Sequence, residues 1–460
     1  MSSRLTADCC RPAEPGRIPQ ADGVRSSKRR SEPIYREALW KSCWGFSCVA
    51  PRPDWPVPGR ALGSGTAPLW QPWSARNGYR QPLATFLEAL PHGIRARFVD
   101  GVNGLRMHVL EAGHGEPGRP LIFLVHGFPE IAFSWRKIMP ALAAAGYHVV
   151  APDLRGYGRT SNGPVGYDDD LAPYRLHNHL LDLLCLASAL GRHRAAAIIG
   201  HDFGSWIAGY CALARPDVFG AVVLMSAPFA GAPTFDALER SLHAPADDPI
   251  HAALAALPRP REHYHLYYAS RSAAPDMDGS PQGLTAFLRA YFHHKSADWP
   301  DNRPHALARW TAETLAELPT YYIMDLGRSM PATVAPEMPA DAGGNCAWLT
   351  DRELAVYVDE YARTGFQGAL QGYRCRMDGS LARDLARFAG RRIEVPALFV
   401  AGRSDWGPFQ APGALERMQG EACARMLGCH FVEGAGHWVQ QEQPEAVIEL
   451  VLDALAHAAA

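Results

Sequence analysis

The chain has no run of about 18 apolar residues, the length needed for a helical membrane span. Its longest apolar stretch, around Phe219–Ala232, is broken by Gly, Ser and Pro, so a span is excluded. It also lacks a basic excess, with 45 Lys/Arg against 47 Asp/Glu. That balance argues against a protein built to neutralise many phosphates, and no nucleic-acid partner is expected. No C-x-x-C pair occurs among the ten cysteines, so neither a zinc ribbon nor a thioredoxin-type site is supported, and no metal is expected. Most of the later six, Cys185 to Cys429, lie in apolar company, where Cys behaves as a small hydrophobe. A reducing, cytoplasmic compartment is expected. Internal repeats are absent as well.

What is present is ordinary globular composition, 47% hydrophobic and 20% charged over 460 residues, which excludes disorder throughout. Such a length allows several domains, or one large enzyme domain carrying an insertion. Charge is unevenly spread. Residues 1–80 hold 13 Lys/Arg against 6 Asp/Glu, leaving 32 against 41 in the remainder. The same segment has ten prolines, a basic cluster at Lys28–Arg30 and no sustained periodicity. Residues 1–90 therefore read as a disordered or weakly ordered extension. It has no secretory apolar region, and Asp8, Glu14 and Asp22 count against a transit peptide. A true start downstream of it is the plainer alternative.

From about Arg95 the pattern changes. Ala96–Asp100 and Leu105–Glu111 read as strands joined at an Asn103-Gly104 turn. Leu121–Val125 is a continuous apolar run suited to a strand buried on both faces. Strands at His148–Ala151, Ala196–Ile199 and Ala221–Met225 then alternate with helices at Leu176–Leu190 and Gly204–Ala214. Strand–helix alternation predicts a mostly parallel sheet with helices on both faces. Between about Thr234 and Arg391 the rhythm breaks into helix formers, His, Tyr and Pro without buried strand runs. It returns with strands at Val395–Val400 and His430–Val432, a helix near Ala411–Met418 and a last helix from Pro444. The expected layout is an α/β core over 91–233 and 392–460, with a helical cap over 234–391.

Gly200-His201-Asp202-Phe203-Gly204 falls where a strand ends and a helix begins. This is the context of the nucleophile elbow G-x-S-x-G, with Asp in place of Ser. Taken alone, Asp202 could be a capping residue in a surface loop. An elbow requires an acid and then a histidine later in the chain. Asp405 follows the strand Val395–Val400, and His437 follows His430–Val432, in Gly434-Ala435-Gly436-His437-Trp438. Each alone would read as a turn residue. Their order, and their shared place past strand ends, makes them a site.

With these motifs the chain resembles the α/β-hydrolase fold, and its epoxide hydrolase branch in particular, over nearly all of 95–460. His126-Gly127-Phe128-Pro129-Glu130 resembles that branch's H-G-x-P loop. The resemblance implies a cis bond before Pro129 and an oxyanion hole made by the backbone N–H groups of Phe128 and Phe203. It assigns no proton transfer to His126. In the insertion, His263-Tyr264-His265-Leu266-Tyr267-Tyr268 resembles the segment bearing a first lid tyrosine, aligned at Tyr264, though a one-turn shift would bring in Tyr267 or Tyr268. Thr364–Arg374 resembles the segment bearing the second, at Tyr373. Gln371-Gly372 stands where the family has Asn-Trp, which bears on pocket shape. Phe128 and Trp135 are further expected against the substrate.

An aspartate nucleophile suits displacement at an sp³ carbon, since the ester it forms can be hydrolysed afterwards. Epoxides and alkyl halides are the two substrate classes that need this. An opening epoxide becomes an alkoxide and requires a proton donor, which a phenol near pKa 10 supplies at neutral pH. Haloalkane dehalogenases share the fold and the Asp/His/Asp chemistry but hold halide with side-chain N–H groups. They have Asn and Trp where this chain has Phe128 and Phe203, and the haloacid dehalogenases of the haloacetate branch have arginines after the nucleophile, a pattern that Phe203 again breaks. A catalytically silent ligand-binding protein on the same scaffold is the third reading, and no catalytic residue is lost to support it. The expected protein is thus a cofactor-independent epoxide hydrolase, monomeric or homodimeric. It would act on a small lipophilic epoxide and water through Asp202, Asp405, His437, Tyr264 and Tyr373.

Overall fold

The computed structural model describes residues 86–160, 164–242, 248–340 and 346–459. The extension expected over 1–90 lies almost wholly outside them. Ten strands are present: β1 (Ile94–Val102), β2 (Leu105–Ala112), β3 (Leu121–Val125), β4 (His148–Pro152), β5 (Ala197–His201), β6 (Val222–Met225), β7 (Arg261–His263), β8 (Ile323–Asp325), β9 (Ile393–Gly402) and β10 (Cys423–Val432). The helices used below are α1 (Met139–Ala144), α2 (Leu176–Ala189), α3 (Phe203–Ala214), α4 (Tyr264–Tyr268), α5 (Leu284–His294), α6 (Asp351–Thr364), α7 (Gln367–Met377) and α8 (Pro444–Ala459).

Eight strands form one sheet in the order β1-β2-β4-β3-β5-β6-β9-β10. From β4 to β10 all neighbours are parallel, while β2 pairs antiparallel with both β1 and β4. Every residue of β3 and β5 is buried, as continuous apolar runs between helical layers require. Asn103 and Gly104 both take positive φ, 47° and 78°, which closes the β1–β2 hairpin with the backbone twist a two-residue turn needs. β1 is an edge. Its Arg95 and Arg97 cover Glu111, a fully buried carboxylate of β2, with Nε–Oε2 distances of 2.8 and 2.7 Å.

Residues 234–391 enter between β6 and β9 and are mainly helical, as the patterning predicts. Two details differ. The insertion holds a small antiparallel sheet, β7 with β8, whose three-residue strands are too short to leave an alternating pattern. The helix expected over Ala411–Met418 is a short turn, Ala414–Arg417, continued by a wider one over Met418–Ala422. Among the described residues no helix is long and apolar enough to cross a membrane.

Candidate active site

Asp202 stands between β5 and α3 with φ 54° and ψ −119°. For a residue with a Cβ that conformation costs about 1–3 kcal/mol, and the flanking glycines are what permit it. A Cβ on Gly200 would lie 2.0 Å from the Gly204 carbonyl oxygen, and one on Gly204 2.1 Å from that of Val125. Across the cleft, a Cβ on Gly127 would meet the Asp202 side chain at 2.4 Å. The 126–130 loop can therefore close on the carboxylate. Phe128–Pro129 is cis, and the Phe128 N–H donates to Asp202 Oδ1 at 3.0 Å. Phe203 opens α3, so its N–H is one of the helix's unpaired N-terminal donors. The His126 ring ties the loop together, its Nε2 accepting from the Leu154 N–H at 3.0 Å.

The second half of the core delivers the other two groups. Asp405 Oδ1 accepts from His437 Nδ1 at 3.1 Å and from the Gly407 N–H at 2.7 Å. The opposite ring nitrogen, His437 Nε2, stands 3.4 Å from Asp202 Oδ2. Asp405 and His437 are both buried, at 1% exposure. Burial would raise Asp202, but the hydrogen bond and charge of His437, with Lys295 and His201 behind it, outweigh that and hold the carboxyl below its ordinary range. The balance at Asp405 is the same: burial raises it and His437 more than compensates.

The cap supplies aromatic side chains. A cavity of about 620 Å³, counted to its open mouth, is lined by Asp202, Phe203, Trp206, Tyr264, His265, Gly372, Tyr373, Arg376 and Gln410 among others. The Tyr264 and Tyr373 rings are 6.0 Å apart between centroids. Tyr264 donates to Gln410 Oε1 at 3.0 Å. The neighbouring phenols are engaged elsewhere, Tyr267 with Asp276 and Tyr268 with Tyr291, and neither lines the cavity. Burial first, and the charge of Asp202 second, push Tyr264 and Tyr373 well above the usual phenol range. At Gly372 a Cβ would press on the Phe203 ring at 3.1 Å. The departure at this position thus lets Phe203 reach the cavity wall.

Two expectations need correction. Trp135 is fully buried in the turn Ala132–Trp135 and is not among the residues lining this cavity. The Phe128 ring is not among them either; it packs on Tyr268, Tyr291, Phe366 and Tyr373, and the residue's contribution is its N–H. The Phe128 ring fills the seam between core and cap and Trp135 lies in the interior, a distinction that apolar character in a sequence does not carry.

Sequence reasoning also missed a supporting layer. His201 Nδ1 meets Glu130 Oε2 at 2.6 Å and its Nε2 meets the His437 carbonyl at 2.7 Å, while Gln440 and Gln441 donate to Glu130 Oε1. Lys295 is buried with its ammonium 4.9 Å from the Tyr322 ring centre and 5.4 Å from that of Trp438. Burial lowers its pKa against the opposing charges of Asp202, Asp405 and Glu130. Glu130 and His201 sit inside recognisable motifs, so position alone could have flagged them. Lys295 has no such signal.

A strained turn after a central strand, answered by an acid and then a histidine past later strand ends, defines the α/β-hydrolase class, here with a carboxylate at the elbow. The family model of the α/β hydrolase fold matches residues 120–276. Epoxide hydrolase A of Mycobacterium tuberculosis is 34% identical over 364 residues, covering 78% of this chain and 96% of that protein. Epoxide hydrolase 2 of Siraitia grosvenorii is 27% identical over 356 residues, 76% of this chain and 95% of its own. Among solved structures, epoxide hydrolase A from Mycobacterium thermoresistibile superposes with a TM-score of 0.61 at 33% identity, covering 79% of this chain and 98% of that one. An epoxide hydrolase from an endophytic Streptomyces gives 0.63 at 33%, covering 80% and 96%. The chain belongs to the epoxide hydrolase family, α/β hydrolases with an inserted helical cap that act on ether bonds.

Proposed function

We propose that the protein converts an epoxide to a vicinal diol through a covalent ester on Asp202. The observation that carries this reading is the pair of phenols, Tyr264 and Tyr373, lining one cavity with a buried carboxylate kept ionised. Asp202 Oδ2, the oxygen not held by the Phe128 N–H, attacks a ring carbon from behind. The C–O bond breaks toward the epoxide oxygen, and a cap phenol protonates it. Forming the ester cancels the charge of Asp202, which is one of the influences raising both phenols. Their acidity therefore increases as the alkoxide develops, in step with the demand for a proton.

In the second half-reaction His437 Nε2 takes a proton from water, which attacks the ester carbonyl carbon. Asp405 holds the imidazole in the tautomer that leaves Nε2 free and stabilises the imidazolium. Charge on Oδ1 is met by the Phe128 N–H, which already donates to that atom, and by the unpaired Phe203 N–H at the start of α3. On collapse the departing alkoxide takes the proton from His437, and the second proton of the water, left on the carboxyl, returns to the cap phenolate, which restores both the Asp202 carboxylate and the phenol. The cap over 234–391 excludes solvent and carries the phenols, while residues 91–233 and 392–460 carry the remainder. The chemistry uses no cofactor; its partners are the epoxide and water.

The residue roles separate in time, which gives the test. His437→Gln should accept one equivalent of epoxide and stall, adding the substrate's mass to the peptide bearing Asp202, and Asp202→Ala should show no adduct. A single turnover of the parent in ¹⁸O-water should label the Asp202 carboxylate and leave the diol unlabelled. Label in the first-turnover diol would mean direct attack by water and would remove Asp202 as nucleophile.

A further inference from the structure

Among the groups lining the cavity, one has no part in the chemistry above. Arg376 lies one helical turn beyond Tyr373 on α7, so the two side chains share a face of that helix. It lines the cavity together with Asp202, Tyr264 and Tyr373. Its guanidinium carbon sits 4.8 Å over the Trp206 ring, a stack that holds the plane of the group without consuming any of its five N–H donors. Among the described residues the Arg376 side chain makes no hydrogen bond and no ion pair. Burial lowers its pKa. Arg374, two residues earlier, bonds to the Tyr167 carbonyl and to Gln371 Oε1. Arg155 and Arg175, also partly buried, hold Asp182 and Asp384.

A partly buried guanidinium that lines a cavity with its N–H donors free is suited to a ligand that supplies the acceptors. We propose that Arg376 binds a carboxylate on the substrate, so that the enzyme prefers epoxides bearing a carboxylate over neutral ones. This rests on the epoxide-hydrolase reading and names its substrate class. Planar guanidinium and planar carboxylate pair through two parallel hydrogen bonds. The contact also answers an electrostatic problem, because a substrate anion entering this cavity meets the negative charge of Asp202. Arg376 holds the anion on the cap side and leaves the epoxide end to the phenols and Asp202. The apolar remainder of the substrate lies against Trp206, Phe203 and Pro408.

The test uses the full chain and a series of terminal ω-epoxyalkanoates of increasing methylene count, each paired with its methyl ester. The expected parent result is a higher kcat/KM for the acid than for its ester at the best chain length. Arg376→Gln should reduce that acid-to-ester ratio by about 10–100-fold, the range of one charge-assisted pair. The loss should fall mainly in KM, as for an interaction made equally in ground and transition states. Arg376→Lys, which keeps charge but not the planar fork, should retain part of the ratio. Equal turnover of acid and ester by the parent would overturn the proposal, and so would an Arg376→Gln variant that slows both alike, since Arg376 would then only brace Trp206 or tune the phenols. Failure of the epoxide reading itself looks different: neither series would be opened, and His437→Gln would form no adduct with the esters.

Discussion

At the residue scale, the carboxylate and the phenols are displaced in opposite directions, Asp202 chiefly by His437 and the phenols by burial and then by Asp202. Asp202 is held below the ordinary carboxylate range and Tyr264 and Tyr373 well above the phenol range. Asp202 is therefore ionised and both phenols protonated throughout about pH 5 to 8. Alkylation by the parent, in which His437 still holds Asp202 ionised, should be flat across that window, measured as the Asp202 ester formed against time in a rapid-quench single turnover. A limb in the profile near neutrality would mean that another group gates ring opening. Tyr373→Phe should slow alkylation by about 10²–10⁴-fold, the usual worth of general acid catalysis, without abolishing it, because Tyr264 can still donate. Adding Tyr264→Phe should slow it much further. A double variant that alkylates as fast as the parent would reduce both rings to packing.

At the scale of elements, the partly buried Glu442 carboxylate ties the loop after β10 to the cap. Glu442 accepts from the Gly436 and Trp438 N–H groups, which flank His437, and from Ala297 in the cap. The His437 N–H itself donates to the Lys295 carbonyl. Burial pushes Glu442 from 4.5 up to about 7, against the three N–H donors. Because the folded value lies above the unfolded one, the stabilising contribution is complete below pH 4.5 and is lost as pH rises to about 7. Thermal unfolding of the parent should show this decline, and Glu442→Gln, which cannot ionise, should not. Parallel pH profiles for the two would mean that Glu442 stays charged and is satisfied by its three donors. Legibility in the sequence differs among these elements. β3, β5 and α2 were plain because burial on one or both faces writes a period into the chain. β7 and β8 left no period, and no local pattern announces that Glu442 reaches back six residues to Gly436.

At the scale of the whole molecule, the described core begins near Phe86. That ring is buried against Phe133 and His108, at 5.9 and 5.5 Å, with the Arg159 guanidinium 4.7 Å above it. Deleting residues 1–80 should leave diol formation largely intact, since every motif and every hydrophobic period lies later. Phe86→Ala should instead cost about 3–5 kcal/mol, as a buried aromatic does, seen as a lower denaturant midpoint. Loss of folded protein on the deletion would show that the extension packs on the enzyme.

The sequence by itself determined the order of strands and helices, the elbow, and the sequence Asp202, Asp405, His437, because each rests on short-range rules of turn geometry, periodicity and chain order. Tertiary structure alone decided which of three neighbouring tyrosines lines the cavity with Asp202, that the Phe128 ring fills a seam and Trp135 the interior, and that the Arg376 guanidinium has no hydrogen-bonding partner among the described residues. Those outcomes depend on what an insertion of about 158 residues folds back against. Side chains from distant segments meet there, and no local pattern encodes the meeting.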